Sequence, residues 1–283
     1  MATRFRTIRK PLSIGMSVHQ FVSLAGAPFD VEAYSRLKFG SNAVAKMFAY
    51  EMADLFYLQY GDILRDMPCV VVPAPSTTVP VAATLMSLHF MNRLNSHCVH
   101  RGWDIVEWSM IHRKMSYNNN YSDLSRDERR ALMSNDGYDL NTAFLRGKFI
   151  IFIDDCRITG THEEKITSLL AREKMTNDHA FVCYTSYVGD DPSIESRLNH
   201  TFIKDAADLV ELAREPNHQI TTRAIRLLLE YPEDSFEDLL DRAPGGFVES
   251  AYHAAMTKGY HHHYPATFAH LARRMGMGRP QAV

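Results

Sequence analysis

The residues with the clearest chemical potential lie in one run, Phe149-Ile-Ile-Phe-Ile-Asp154-Asp155-Cys156-Arg157-Ile158-Thr159-Gly160-Thr161-His162. Two adjacent carboxylates follow an apolar stretch, and a Thr-Gly-Thr turn follows them. Carboxylates at the carboxyl end of a buried parallel strand project into the crevice where ligands bind in such sheets. There they can accept hydrogen bonds from sugar hydroxyls or face the hydration shell of Mg²⁺. A glycine-containing turn that opens a helix presents backbone N–H groups, and the helix dipole favours an anion at that end. Thr159 and Thr161 add hydroxyl donors. Acceptors for hydroxyls beside donors for a phosphate suit a phosphorylated ribose. The simpler reading is a buried strand followed by a capped helix, with Asp154 and Asp155 as loop carboxylates and Thr159 as the cap. A nucleoside-triphosphatase reading would need a Gly-x-x-x-x-Gly-Lys-Ser/Thr phosphate loop, and the sequence has none.

The elements that must position this run can be read from periodicity. Residues 148–154 are almost wholly apolar, as a strand covered on both faces should be. Residues 69–73 (CVVVP), 102–108 and 180–187 are the other strand candidates. Helices are expected from Ser41 to about Tyr60, ended by Gly61, from about Val79 to Arg93, and from Thr159 to about Lys174. Strand, turn, helix and strand at this spacing imply a parallel sheet with right-handed crossovers. Residues 1–30 read as irregular. Residues 113–142 read as a mobile, exposed excursion with a short helix near 126–132, and a loop of that length is usually functional. Arg113 and Lys114 at its root are either a solvated basic pair or cations that close over an anion. From Asp205 onward the pattern is helical, over 205–214, 219–230, 235–242, 247–258 and 265–275. The expected division is therefore an α/β domain over 1–204 and a helical segment over 205–283.

Composition excludes several classes. Over 283 residues, 31 Lys and Arg against 33 Asp and Glu give a net charge of −2, so no nucleic-acid polymer is expected as a partner. No uninterrupted apolar run is long enough to span a membrane, and no signal-peptide pattern follows the basic residues 1–10. A cytoplasmic location is the resulting expectation. Cys69, Cys98, Cys156 and Cys183 form no Cys-x-x-Cys pair and read as reduced packing residues. His261, His262 and His263, with His253 and His270 nearby, read as a surface patch rather than a metal site, because three consecutive side chains cannot share one helix face.

The 149–162 run resembles the phosphoribosyl-pyrophosphate (PRPP) signature of type I phosphoribosyltransferases. Other segments are similar to the ComF-like branch: Leu37-Lys38-Phe39-Gly40 before a helix, Val71-Val72-Pro73-Ala74-Pro75, Leu124 to Arg129, and Asn141 to Phe144. The Asp-Asp-x-Arg-Ile-Thr-Gly-Thr string also resembles the phosphoribosyltransferase-like proteins of tellurite-resistance gene clusters. The resemblance covers roughly residues 34–190. It implies an α/β fold of the phosphoribosyltransferase type, a parallel sheet with helices on both faces, here with an all-helical C-terminal extension. It also implies transfer of the phosphoribosyl group from PRPP to a nucleobase-like acceptor with release of pyrophosphate, with Mg²⁺ accompanying PRPP. The alternative is a non-catalytic PRPP- or nucleotide-binding regulatory or interaction protein.

The resemblance assigns roles residue by residue. Asp154 and Asp155 would hold the ribose hydroxyls and face the metal indirectly, through PRPP and water. Arg157, Ile158, Thr159, Gly160 and Thr161 would cradle the 5′-phosphate. Ala74, Pro75 and Ser76 would form the pyrophosphate loop, and Arg113 and Lys114 would fold over the pyrophosphate as catalytic cations. Lys38 could reach pyrophosphate but reads more simply as a surface lysine at a helix entry. Ile158 and His162 stand where the family often carries hydroxyls, and His162 could donate from a ring nitrogen instead. The Arg-Gly-Phe-Asn element and the four-cysteine zinc ribbon of ComF-like proteins are missing, which leaves the acceptor open. A homodimer is compatible with all of this.

Overall fold

The computed structural model describes residues 11–113, 137–191 and 193–277. Lys114, most of the expected excursion and the Leu124–Arg129 motif lie outside them.

Five parallel strands form the central sheet. In chain order these are β1 (Ser13–Phe21), β2 (Cys69–Pro73), β3 (Glu107–Trp108), then, after a two-stranded hairpin, the strands Phe149–Arg157 and His179–Tyr187. The hairpin pairs β4 (Ile111–Arg113) antiparallel with β5 (Tyr138–Leu140), so the long strands are β6 and β7. The spatial order is β1-β7-β6-β2-β3.

The strands alternate between two cores as the pleat requires. Val71, Ile151 and Ile153 point into a large cluster with α1 (Val31–Lys38), α2 (Asn42–Asp66) and α3 (Ala82–Arg101). Val70, Val72, Ile150 and Phe152 point the other way, against Ile111, Leu140 and Leu145 and the helix Thr161–Arg172. With the short helix α4 (Thr142–Leu145) preceding it, that helix is α5. Both faces of β2 and β6 are covered, which explains their unbroken apolar sequences.

The helix expected from about Val79 to Arg93 runs over Ala82–Arg101 instead, and three further sequence expectations need correction. The first is β1, which falls in a region read as irregular. Among the described residues it is an edge strand that pairs with β7 alone and keeps one face partly exposed, so Ile14, Met16 and Val18 alternate with polar residues and Gly15 interrupts the pattern. The second is residues 102–108, which reduce to a two-residue strand, because Gly102 is the left-handed C-cap of α3 at φ +70°. The third is Gly61, which does not end α2. The helix bends at Tyr60 (φ −131°) and continues to Asp66, burying Leu64.

After α6 (Ile194–Asn199), five helices follow: α7 (Ala206–Leu212), α8 (Thr222–Leu229), α9 (Phe236–Asp241), α10 (Phe247–Thr257) and α11 (Pro265–Arg274). Their buried residues form a further cluster that also takes in Phe39 and Val79. No described helix is long and apolar enough to cross a membrane. All four cysteines are free, and burial pushes the thiols of Cys69 and Cys183 up to about 12, as packing residues should show.

Candidate active site

Beyond Pro73 at the end of β2, β6 continues to Arg157 with only β7 beside it, pairing Asp154 with Cys183 and Arg157 with Ser186. This overhang carries Asp154 and Asp155, which therefore lie on the strand rather than in the loop after it. Neighbouring strand residues point to opposite faces, and the two carboxylates accordingly meet different helices.

Asp155 turns toward α1. It is 5% exposed, accepts a hydrogen bond from the wholly buried Tyr34 hydroxyl, and is paired with Lys38 Nζ at 2.5 Å. Burial pushes the Asp155 carboxyl up, but the Lys38 ammonium and the bonds from Lys38 and Tyr34 outweigh it, and the group lies below its ordinary value. Burial likewise pulls Lys38 down, yet Asp155 wins and the ammonium is held above its usual value. Tyr34 is raised well above ten, first by burial and then by Asp155. Lys38 is thus not a surface lysine, since its side chain is only 13% exposed. The signal that could have found the pair is the spacing of Tyr34 and Lys38, four positions apart on one helix face.

Asp154 turns toward α5. Its Oδ2 lies 2.7 Å from His162 Nδ1, and its Oδ1 accepts from the Asp155 N–H at 2.9 Å. Burial pushes Asp154 up against the pull of His162. His162 is raised chiefly by its hydrogen bond to Asp154. His162 therefore directs a ring nitrogen at a carboxylate, where sequence reasoning had a phosphate donor in view.

The turn between β6 and α5 is tight. Gly160 is the N-cap of α5 at φ +76°, and among the described residues no side chain caps the helix, which leaves its first N–H groups open to a ligand. Thr159 and Thr161 hydroxyls lie 2.7 Å apart at this end. Arg157 packs along Gly160 and pairs with Glu163 at 3.1 Å, its side chain about half exposed, while Ile158 is partly buried against the core. A cavity of about 260 Å³ is lined by Lys38, Ala74, Asp154, Asp155, all of 157–161, and His162.

The remaining predicted residues stand around it. Ala74 donates its N–H to the Ile153 carbonyl at 2.8 Å and lines the cavity. Pro75 and Ser76 do not line it. Ser76 is buried, and the chain at Ser76 pairs with the hairpin: Ser76 N donates to Ile111 O and Arg113 N to Ser76 O. Arg113 is thus brought to the pyrophosphate-loop candidate by the backbone of β4. Among the described residues no group of three His, Cys, Asp or Glu side chains is arranged to hold a metal ion, the His261–His263 run included.

A family model described as PRTase ComF-like matches residues 13–268. The chain belongs to the ComF-like phosphoribosyltransferase family. Its match reaches through α10 and into α11, well beyond the 34–190 span over which sequence motifs are similar. No curated protein matches the chain. Similar solved structures include a hypoxanthine phosphoribosyltransferase from Staphylococcus aureus, at 13% identity and TM-score 0.31 over 52% of this chain and 76% of that one. Others are a hypoxanthine-guanine phosphoribosyltransferase from Bacillus anthracis (12%, 0.30, 54% and 82%) and the Trypanosoma cruzi hypoxanthine enzyme (12%, 0.35, 54% and 80%). Family membership and the parallel sheet agree on the α/β class, with α7–α11 as the helical addition.

Proposed function

We propose that the cavity binds the phosphoribosyl group of PRPP and that the protein transfers it to a nucleobase-like acceptor, releasing pyrophosphate. One observation carries this reading: the uncapped N-terminus of α5 and the Asp154–Asp155 pair line the same cavity. A 5′-phosphate at Gly160–Thr161 would receive backbone N–H and hydroxyl donors in the favourable field of the helix dipole. Arg157 adds positive charge beside it. Asp154 has one partner on each oxygen and keeps lone pairs for a ribose hydroxyl, while Asp155 is held ionised by Lys38. Lys38, with Ala74 beside it, faces the pyrophosphate side, and Arg113 is the hairpin's cation there. Hard carboxylate oxygens suit Mg²⁺, and without a cluster of three ligands among the described residues it would be held by PRPP oxygens and water facing Asp154 and Asp155. When bound, Mg²⁺ supplies charge neutralisation for the departing pyrophosphate. The division into 1–204 and 205–283, a cytoplasmic location and small-molecule partners belong to the same proposal.

The second reading, a PRPP or nucleotide sensor without turnover, is favoured by Ile158 packing into the core and His162 facing Asp154, which leave the cradle with fewer side-chain donors. Exchange of labelled pyrophosphate into PRPP, across a panel of bases, separates them. Exchange dependent on Asp154 supports transfer. Binding without exchange supports the sensor, and neither binding nor exchange refutes both.

A further inference from the structure

Helix α1 ends at the cavity, since its last residue, Lys38, lines the cavity and pairs with Asp155. A helix leaves its last carbonyls without intrahelical donors, and a buried end must find donors elsewhere. The turn after α1 supplies the first three. Phe39 N donates to Ser35 O at 3.3 Å, Ser41 N to Arg36 O at 3.0 Å and Gly40 N to Leu37 O at 3.1 Å. The next three carbonyls are met by the segment between α7 and α8. Thr221 Oγ1 donates to Lys38 O at 2.8 Å, and Gln219 N donates to Gly40 O at 3.1 Å. Between them, His218 Nε2 lies 2.9 Å from Phe39 O, a carbonyl that can only accept.

The same segment holds α1 at further points. Glu215, whose side chain is 19% exposed, accepts from Arg36 Nη2 and from the Ser41 hydroxyl. Ahead of α7, Asn199 O accepts from Ser35 Oγ at 2.7 Å, and Ile203 N donates to that hydroxyl at 3.1 Å. Phe39 is buried in the C-terminal cluster, whereas Tyr34 and Leu37 are buried in the sheet-side cluster. Helix α1 is therefore held between two cores. The segment is itself anchored, because Thr222 N donates to Pro80 O at 2.9 Å.

Lys38 is the residue most sensitive to this anchoring. It stands where a helix frays first, and its long stem must hold a desolvated ammonium on one carboxylate. Thr221 is 1% exposed, and its hydroxyl also accepts from Ala224 N at 3.1 Å as the N-cap of α8. One hydroxyl thus ties the start of α8 to the backbone of Lys38.

We propose that Thr221 is a positioning residue of the PRPP site: by holding the end of α1 it keeps the Lys38 ammonium on Asp155, so that the C-terminal helical segment sets the geometry of the cavity. This rests on the phosphoribosyl reading above. The test is calorimetric titration of the full chain with PRPP and Mg²⁺ in a double-mutant cycle of Thr221→Val and Lys38→Met. Lys38→Met should weaken binding about tenfold, the scale of a lost charge-assisted hydrogen bond, and Thr221→Val about threefold or more. Thr221→Ser keeps the hydroxyl and should bind within about twofold of the wild type. In the Lys38→Met background, Thr221→Val should cost less than about 1.5-fold, because its effect passes through an ammonium that is gone. His218→Leu removes the neighbouring donor at a half-buried position and should show the same non-additivity, which keeps the test decisive if Thr221→Val does not fold. Equal weakening in both backgrounds overturns the inference, because a residue acting only through the fold would behave that way. Unchanged PRPP binding in Thr221→Val or in Lys38→Met overturns it too and leaves the phosphoribosyl reading standing. A folded wild-type chain that binds no PRPP overturns both.

Discussion

Asp154 and Asp155 differ by one position and have opposite surroundings, because strand side chains alternate faces. The Asp155 environment combines a buried phenol, an ammonium and a carboxylate, and it makes a stability prediction. Tyr34→Phe removes the only charge-directed donor of a fully buried side chain and should cost about 1–3 kcal/mol in urea unfolding. A loss below about 0.5 kcal/mol, the range of an ordinary surface change, would contradict the assigned bond. His162 makes a titration prediction. Its folded pKa is raised above the unfolded one by Asp154. The stabilisation is therefore complete below pH about 6.5 and is lost as pH rises through the raised value. NMR titration should place the imidazole above the ordinary histidine value, and Asp154→Asn should bring it back down. An imidazole titrating at or below the ordinary value in the wild type refutes the contact. Neither Tyr34 nor His162 was assigned these partners from sequence. The adjacent Asp-Asp pair was legible as chemistry, but which helix each acid faces depends on the register of β6, and Lys38 takes its meaning from Tyr34 only once α1 is known to be a helix.

At the scale of elements, what was legible followed burial. β2, β6 and β7 are apolar on both faces and stand out in the sequence, as do α2, α3 and α5, whereas the short α1 does not. β1 and the β4–β5 hairpin do not, because edge and short strands carry few buried residues and their pairing is non-local. The turn after Lys38 is an element whose geometry is demanding. Gly40 has φ +109°, and a Cβ there would lie 2.0 Å from the Gln219 carbonyl oxygen. Gly40→Ala should therefore lower stability by more than about 2 kcal/mol, the left-handed penalty plus a backbone clash that no side-chain rotamer relieves. It should also weaken PRPP binding by displacing Lys38. Chemical denaturation beside calorimetry checks both, and wild-type stability in Gly40→Ala would show that the 218–222 segment is not docked there. Gly160 offers the contrast: its φ is +76°, but an added Cβ meets only the flexible Arg157 side chain at 3.5 Å.

At the scale of the whole molecule, the two proposed parts share a buried apolar surface. The helical segment from 205 onward shares its buried cluster with Phe39 and Val79 from the α/β part. Ending the chain at residue 204 should expose that apolar surface, bind a hydrophobic dye and lower the thermal midpoint. A truncated chain that melts at the full-length temperature would show two independent cores. The near-neutral charge of −2 conceals a local gathering of cations, with Lys38, Arg113 and Arg157 near the carboxyl ends of β2 and β6. Composition could not reveal this, since it is produced by folding.

The most direct measurement is calorimetric titration of PRPP with Mg²⁺ into the wild-type chain and into Asp154→Asn and Thr161→Val. Saturable one-to-one binding in the wild type, weakened about tenfold or more in each variant as expected for a lost charge-assisted or buried phosphate contact, is the predicted result. Absence of binding by a folded wild-type protein, or binding that neither substitution weakens, would contradict the account.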